Sequence, residues 1–522
     1  MALGYQLVTN FATEHRGWFV TLFVLPMSLL FSLWFEVRAW VIMKLFSAPK
    51  LHTKRVQAVM DQLLAYKASG SKARLCTARG GWQSISPSTR DYKKTSCQIE
   101  INMFDILEIN ELEKWVRVEP LVSMGQLSHY LIAKGWTIPV LPEMDDLTVG
   151  GLFMGVGIET SSHKYGLFND TVLEAEVVLA DGTVLVCSKT QNRDLFDALP
   201  WSYGSLGFLL SVKIQLVQCR PYVRVQYIPC TSLQAGVDKF TELSCQTNPP
   251  DFVESLAYGL DKMVVMPAWF VDQPQPGETI NVMSRWYKPW FYKHVEGFFT
   301  KSNGGVEVIP VRDYFHRHTR SIFWELQDII PFGNNPLYRL LLGWAIPPKV
   351  SFLKLTQTQA IKDLYESQHV IQDMLVPMTN LAEALKVFDK EFNIYPLWLC
   401  PYRAYDYSDK QVPHRGFLRR PVNPDPVLGY EMWVDIGAYG VPQQVRNKNL
   451  EYNTVEHVQN VERYVLETGG YQMLYANSYL TRDEFRQMFD HTHLDQVKHR
   501  VDPTGAFPEV FEKTCKLGQR KN

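Results

Sequence analysis

The chain of 522 residues is short of several features that would classify it at once. Its eight cysteines, at 76, 97, 187, 219, 230, 245, 400 and 515, include no C-x-x-C pair. That argues against a zinc ribbon or a disulfide scaffold and suits a reducing compartment. There is no excess of charge: the formal net charge is −1, so the electrostatic footprint of a nucleic-acid binder is missing. No Gly-Lys-Ser/Thr follows a glycine-rich turn to make a P-loop, and Gly155-Val156-Gly157-Ile158-Glu159-Thr160 lacks the third glycine of the Rossmann fingerprint. No internal repeat or low-complexity tract is visible, and long hydrophobic runs are missing with one exception.

The exception is Gly17 to Phe35, 19 consecutive uncharged and mostly apolar residues. As a helix this run is about 28 Å long, close to the hydrocarbon thickness of a bilayer. Trp18 and Trp34 lie near its ends, where interfacial aromatics belong, and the mid-span Pro26 is tolerated in lipid. A second apolar burst, Ala39 to Met43, suits the interface. A cleaved signal peptide is the competing reading, but the run is long for one and no clear cleavage site follows. Arg38, Lys44, Lys50, Lys54 and Arg55 follow the span, which places the bulk of the chain on the cytosolic side. The later run Leu337 to Ile346 is too short to cross and is interrupted by Arg339, so it reads as a buried or membrane-grazing helix. The sequon Asn169-Asp170-Thr171 reads as chance.

The spacing predicts a connector helix over Lys50 to Ala68, a strand at Trp115 to Glu119, and a helix from Gly125 ending at Gly135. Val172 to Leu179 and Val184 to Cys187, joined through Ala180-Asp181-Gly182-Thr183, read as a hairpin with an Asp-Gly turn. Beyond about Arg220 the composition shifts. Residues 280–350 are dense in aromatics, and a long proline-rich loop is expected around Pro413 to Pro426. Strands are expected at Tyr395 to Cys400, Met432 to Gly437 and Tyr471 to Ala476, with helices at Val455 to Leu466 and Thr481 to Phe489.

The densest local signal is Thr148 to Gly166, with Gly150, Gly151, Gly155 and Gly157 in eight positions. Glycine lets backbone approach a ligand, and successive N–H groups can form an anion-binding nest. A cradle for a phosphate-bearing cofactor is one reading, and a tight packing corner is the other.

The block LTVGGLFMGVGIETSSHKYGLFNDTVLEAEVVLADG, Leu147 to Gly182, resembles the core of the vanillyl-alcohol-oxidase (PCMH-type) FAD-binding superfamily. Thr77 to Trp82 matches its first pyrophosphate loop, and Gly204-Ser205-Leu206-Gly207 its closing G-x-x-G. The segments His316 to Pro336, Asp373 to Met378, Trp433 to Gly440 and Tyr471 to Ala476 look like those of the delta(24)-sterol reductase family, and the similarity covers essentially the whole chain. The resemblance implies an α+β protein in four parts: a membrane anchor over 1–48 with its span at about 17–36, a PCMH-type FAD-binding domain over 49–224, a cap or substrate domain over 225–450, and a segment over 451–522 returning to the flavin site. It implies FAD and NADPH as cofactors, a sterol substrate, and residence in the endoplasmic reticulum membrane. The residues expected to hold FAD are Thr148, Val149, Gly150, Gly151, Leu152, Phe153, Met154, Gly155, Val156, Gly157, Ile158, Glu159 and Thr160, with Arg79, Gly80, Gly81, Ser162, Gly204 and Gly207. Many superfamily members carry, after the glycine pair of the first loop, a histidine that binds flavin covalently. Trp82 stands there instead, which implies non-covalent FAD.

Reduction of an isolated alkene needs a proton on C24 and a hydride from reduced flavin N5 on C25, so the protein must supply an acid. Tyr475, Glu325, His316 and Tyr471 are the candidates, within a group that also contains His318, Arg317 and Arg320. No matched carboxylate or cysteine set accompanies His316 and His318, so no metal site is expected. Lys164 and Arg79 are cations near the cofactor loops, with solvated surface as the default. Two alternatives are an FAD-dependent oxidase of the same superfamily and a membrane-tethered, non-catalytic protein that keeps the flavin fold.

Overall fold

A computed structural model describes residues 16–41, 45, 47–84, 91–300, 304–356, 365, 367–407, 416–448 and 452–519. Parts of two expected segments, the burst Ala39 to Met43 and the loop around Pro413, lie outside the described residues.

The apolar run forms a helix over Arg16–Arg38 with a mean hydropathy of 1.9, long and apolar enough to cross a membrane. A π-turn at Val20–Val24 interrupts its α-helical pattern just before Pro26. Proline cannot donate to the preceding turn and crowds its carbonyl, and a widened turn relieves both. The connector helix His52–Ala68 follows and ends at Gly70, whose φ of +64° is left-handed.

The N-terminal half then builds β1 (Leu75–Thr77) parallel to β2 (Cys97–Ile99). A five-stranded antiparallel sheet comes next. Its strands are β3 (Ile106–Asn110), β4 (Trp115–Val118), β6 (Val172–Val178), β7 (Val184–Ser188) and β8 (Phe208–Gln215), in spatial order β3-β4-β8-β6-β7. A short ribbon pairs β5 (Trp136–Thr137) with β9 (Val217–Gln218). The β6–β7 hairpin is the one expected: Asp181 Oδ1 accepts from Thr183 N at 2.9 Å, and Gly182 takes a φ of +89°.

The second half is one eight-stranded antiparallel sheet. Its strands are β10 (Tyr222–Cys230), β11 (Phe252–Gly259), β12 (Lys262–Val271), β13 (Gly305–Pro310), β14 (Val370–Pro377), β15 (Leu397–Tyr405), β16 (Tyr430–Gly440) and β17 (Tyr471–Gln472). The order is β13-β10-β12-β11-β15-β16-β14-β17. Helices Leu233–Cys245, Leu381–Glu391 and Thr454–Glu467 pack on this sheet and on one another, leaving its other face toward the N-terminal half.

Two expectations shift, and two further helices appear. A boundary at 224/225 falls inside β10, which already belongs to the large sheet because it pairs with β12 and β13. The strand at Tyr471 to Ala476 shrinks to Tyr471–Gln472, the two residues in ladder register with β14. Two further helices, Thr492–Val501 and Val510–Thr514, return to the N-terminal half, where Lys498 Nζ donates to Ser205 O at 2.9 Å and Leu75 N to Ala506 O at 2.7 Å.

Charge locks the connector helix to the small sheet. Arg55 donates to Asp105 at 2.9 Å and Glu119 at 2.8 Å, while His52 bridges Glu119 at 2.7 Å and Glu176 at 3.0 Å. Burial disfavours a charge on His52, but the hydrogen bonds to the two glutamates overcome it and raise its pKa to about 9. The raised value means that His52 contributes stability fully present below about pH 6.5 and lost as pH rises through about 9. The wild-type Tm should therefore fall across that window, and His52→Gln should flatten the fall. Differential scanning calorimetry at matched ionic strength measures it.

Candidate functional site

Three backbone segments converge to form a cradle. In the first, Arg79 is half-buried and reaches across to the second, donating to Thr148 Oγ1 at 3.2 Å and to Gln83 O at 3.0 Å. The second is half helical: Val149–Met154 forms a short helix and the chain extends from Gly155. Its glycines split into two roles. A Cβ at Gly155 would meet Gly151 O at 2.5 Å, and one at Gly157 would meet Leu152 at 2.9 Å and Phe168 at 3.0 Å, so these two are packing corners. Gly151 is exposed, and a Cβ there would meet only Thr148 Oγ1, at 3.2 Å. Packing does not explain this glycine, because alanine in a helix interior would gain about 0.5–1 kcal/mol.

The third segment is strained. Trp201 (φ +62°) and Tyr203 (φ +50°) are left-handed non-glycine residues, and their N–H groups donate to Gly155 O at 3.3 Å and Met154 O at 2.7 Å. Such strain persists only where surrounding structure enforces it, and it clusters at ligand clamps. Trp201 Nε1 and Ser205 Oγ are buried without a hydrogen-bonding partner among the described residues. Orphaned donors, a half-buried cation and an open glycine together fit a phosphate-bearing, polar-edged cofactor.

The far end of the glycine stretch is bolted to the large sheet. Val253 N of β11 donates to Thr160 O at 2.9 Å. Arg317, fully buried, donates to Glu159 Oε1 at 3.1 Å and to Glu254 Oε1 at 2.8 Å. Trp398 Nε1 donates to the other oxygen of Glu254 at 3.0 Å. Burial would raise the Glu254 pKa, but Arg317 outweighs it and holds the carboxyl well below the usual range. Glu143 beside them goes the other way: burial, then the neighbouring Glu159, push its carboxyl well up.

Sheet register extends this polar row. Ser255 pairs with Leu399 and Cys400 with Asp435, so the same register sets Glu254 opposite Cys400. Directly opposed residues share a face, which puts Glu254, Cys400 and Asp435 in one row. Asp435 pairs with Leu375 and Gly437 with Asp373, so the two aspartates sit diagonally on that same face. Gly236 of the first cap helix packs on Met263, whose side chain lies on the opposite face. The acids therefore face the N-terminal half. Burial raises the Asp373 pKa to about 7, and burial with the neighbouring Asp373 charge raises that of Asp435 well above its ordinary value. Two carboxyls in one dry site disfavour each other's ionisation. The hydroxyls of Tyr439 and Tyr475 both donate to Asp373. Tyr475 is only half-buried, whereas the other three members are buried.

Of the expected acid candidates, Tyr475 alone joins this network. His316 ties Ser128 Oγ and Glu143 O, both at 2.8 Å, and so braces the helix Met124–Ile132. Glu325 lies in a separate cluster, accepting from Tyr365 at 3.2 Å and lying 3.0 Å from His369. Tyr471 donates to Arg419 O and stacks on Trp433 at 5.1 Å, a packing role. Lys164 is ion-paired with Asp251 at 2.8 Å. Asp373, Asp435 and Tyr439 were not among the sequence candidates. The available signal was a single aspartate inside each of two mostly apolar strands.

A model of the FAD binding domain matches residues 55–188, which contain the first two segments of the cradle. The chain is thus an FAD-binding protein. It is 48% identical over 511 residues to the Delta(24)-sterol reductase of Rattus norvegicus and 47% identical to that of Homo sapiens, in each case over 98% of this chain and 95% of the relative. The Delta(24)-sterol reductase of Pisum sativum is 38% identical, over 96% of this chain and 91% of its own length. The chain belongs to the delta(24)-sterol reductase family and is an FAD-dependent oxidoreductase.

The open glycine gives a direct test of the cradle. Gly151→Ala should leave the Tm of the FAD-free protein equal or slightly higher while weakening FAD at least tenfold, a loss of about 1.4 kcal/mol. Flavin titration followed by protein fluorescence measures it. Unchanged affinity would remove Gly151 from the cofactor contact.

Proposed function

We propose that the chain reduces the C24–C25 side-chain double bond of sterols of the desmosterol type, with NADPH as reductant and FAD held without a covalent bond. Family membership over nearly the full length supports the substrate class. The single observation that carries the mechanism is the buried, face-sharing pair Asp373 and Asp435, with Asp373 accepting from the half-buried Tyr475.

The cradle around Gly151 and Arg79 would hold FAD, whose reduced form would supply the hydride for C25. The rest falls to side chains. Tyr475 delivers a proton to C24 and takes one in turn from the aspartate pair, whose raised pKa keeps a proton available near neutrality. Proton addition leaves positive charge on the tertiary C25, which no carbonyl relieves. Phe323, Trp324 and Tyr439 offer ring faces beside the acids, with centroids 4.9 and 5.3 Å apart for the two contacts to Tyr439. Each favourable ring contact stabilises a cation by about 0.5–2 kcal/mol. Ile322 and Phe323 hold φ values of +48° and +56°, a strained pair that aims the Phe323 ring at this network.

An alcohol oxidase of the same superfamily needs a base to accept the hydroxyl proton. A carboxyl pair that keeps its proton near neutrality is the wrong group for that task and the right one for alkene protonation. A tethered, non-catalytic protein would have no use for the open glycine, the strained third segment or the protonated acids. The charges after the span, Arg38, Lys50, Lys54 and Arg55 among them, support a cytosolic body at the endoplasmic reticulum membrane.

Two outcomes follow. Tyr475→Phe should lower kcat by about 10²–10⁴-fold with the visible flavin absorbance unchanged. Wild-type kcat should fall as pH rises through about 7, because the acid is lost, and Asp373→Asn should be slow and lack that limb. Stopped-flow turnover across pH reads both. Sterol profiling by mass spectrometry, after expression in cells without their own reductase, tests the activity itself. The 24-unsaturated sterol should disappear in favour of its saturated counterpart, and an unchanged profile would refute the proposal.

A further inference from the structure

Leu337, Leu340, Leu341 and Trp344 are 64, 59, 61 and 60% exposed, four large apolar side chains within eight residues. Single exposed apolar residues are ordinary, but a contiguous patch marks a contact surface. The helix Pro336–Leu342 buries Tyr338 on its inner side and turns its leucines outward. The loop bearing Trp286 and Tyr287, both exposed, lies against this helix. A Cβ on Gly343 would meet Trp286 O at 2.5 Å.

The patch is continuous with the N-terminal helix. Thr21 Oγ1 hydrogen-bonds Tyr338 Oη at 3.0 Å, Trp18 contacts Phe332 at 4.7 Å between ring centroids, and Phe31 contacts Phe352 at 5.2 Å. Ser28 Oγ accepts from Lys349 N at 2.8 Å. The helix does not leave the body as a free tether: from Trp18 to Phe31 it is packed along the segment that carries the patch. Its outward side, with Leu22, Phe23 and Leu30 among others, stays exposed. A helix placed in lipid over that length carries its packing partners with it.

The loop is also equipped for a dry surrounding. Arg320 donates to the carbonyls of Met283, Arg285 and Trp286 at 2.9, 2.7 and 2.7 Å, and Arg339 donates to Tyr287 O at 2.8 Å. Irregular backbone is tolerated at membrane depth only where its polar groups are satisfied internally. Tryptophan and tyrosine beside leucines match the boundary between headgroups and acyl chains.

We propose that Trp286, Tyr287, Leu337, Leu340, Leu341 and Trp344 form a lipid-embedded face, so that the body sits sunk into the bilayer surface beside its N-terminal helix rather than hanging from it. The occupant is phospholipid, because the face runs without a break onto a helix too apolar for an aqueous interface. This rests on the reading of that helix as membrane-embedded.

The test uses the full chain in phosphatidylcholine vesicles, with exposed Cys245 changed to Ser and an environment-sensitive NBD probe on Leu341→Cys. Leu30→Cys on the N-terminal helix and Leu112→Cys, 96% exposed and away from the patch, are the references. Doxyl-labelled phospholipid should quench the probe at 341 several-fold more than at 112, and comparably to 30. Trp344→Cys gives the same readout if a probe at 341 costs the protein its flavin. Quenching at 30 with none at 341 overturns the proposal and leaves the helix reading intact. Quenching at neither position overturns both. A blue-shifted but unquenched probe at 341 that responds to protein concentration assigns the face to a second copy of the chain instead.

Discussion

The interaction on which the arrangement depends is the buried pairing of Arg317 with Glu159 and Glu254. One guanidinium joins the end of the glycine stretch to β11 of the large sheet, with all three side chains buried. Such a pair need not stabilise the fold relative to a well-packed apolar alternative. Removing one partner, however, strands a buried charge at a cost of about 3–5 kcal/mol. The geometry is correspondingly specific: a planar fork satisfies two carboxylates in one orientation, and that orientation sets the face of the large sheet against the cradle. Trp398, held on the second oxygen of Glu254, extends the constraint to β15.

From that bolt the rest of the site follows by register. Opposed residues on adjacent strands carry the polar row from Glu254 through Cys400 to Asp435 and Asp373. The direction of the carboxyl shifts reverses along the row: Arg317 holds Glu254 well below the usual carboxylate range, while burial pushes the two aspartates up. One sheet face therefore holds a structural ion pair at one end and an acid at the other. Strained backbone stands on both sides, at Trp201 and Tyr203 under the glycine stretch and at Ile322 and Phe323 beside Tyr439.

Much of this was legible in the residues wherever the signal was local. The span, the connector helix, the Asp-Gly hairpin and the glycine cradle are written in consecutive positions, where propensity and spacing decide the outcome. Within the glycine stretch, Gly155 and Gly157 are packing corners and Gly151 is open. What was not legible depended on pairing between distant strands. Asp373 and Asp435 are 62 positions apart, and only the β14–β16 register makes them neighbours. Likewise His316, Glu325 and Tyr471 were attractive as residue types, but tertiary contacts place them in three separate structural roles. Tyr475 was reachable because the chain returns it to the same sheet edge through β17.

The account stands on a carboxyl that remains protonated in the folded enzyme near neutrality. Infrared difference spectra of wild type minus Asp373→Asn, taken across a pH titration of the flavin-loaded protein, isolate the protonated C=O band of this residue and its coupled partner. The account predicts that the band persists below neutrality and fades as pH rises through about 7. A difference spectrum already fully ionised at pH values near an ordinary aspartate, about 4, would contradict it.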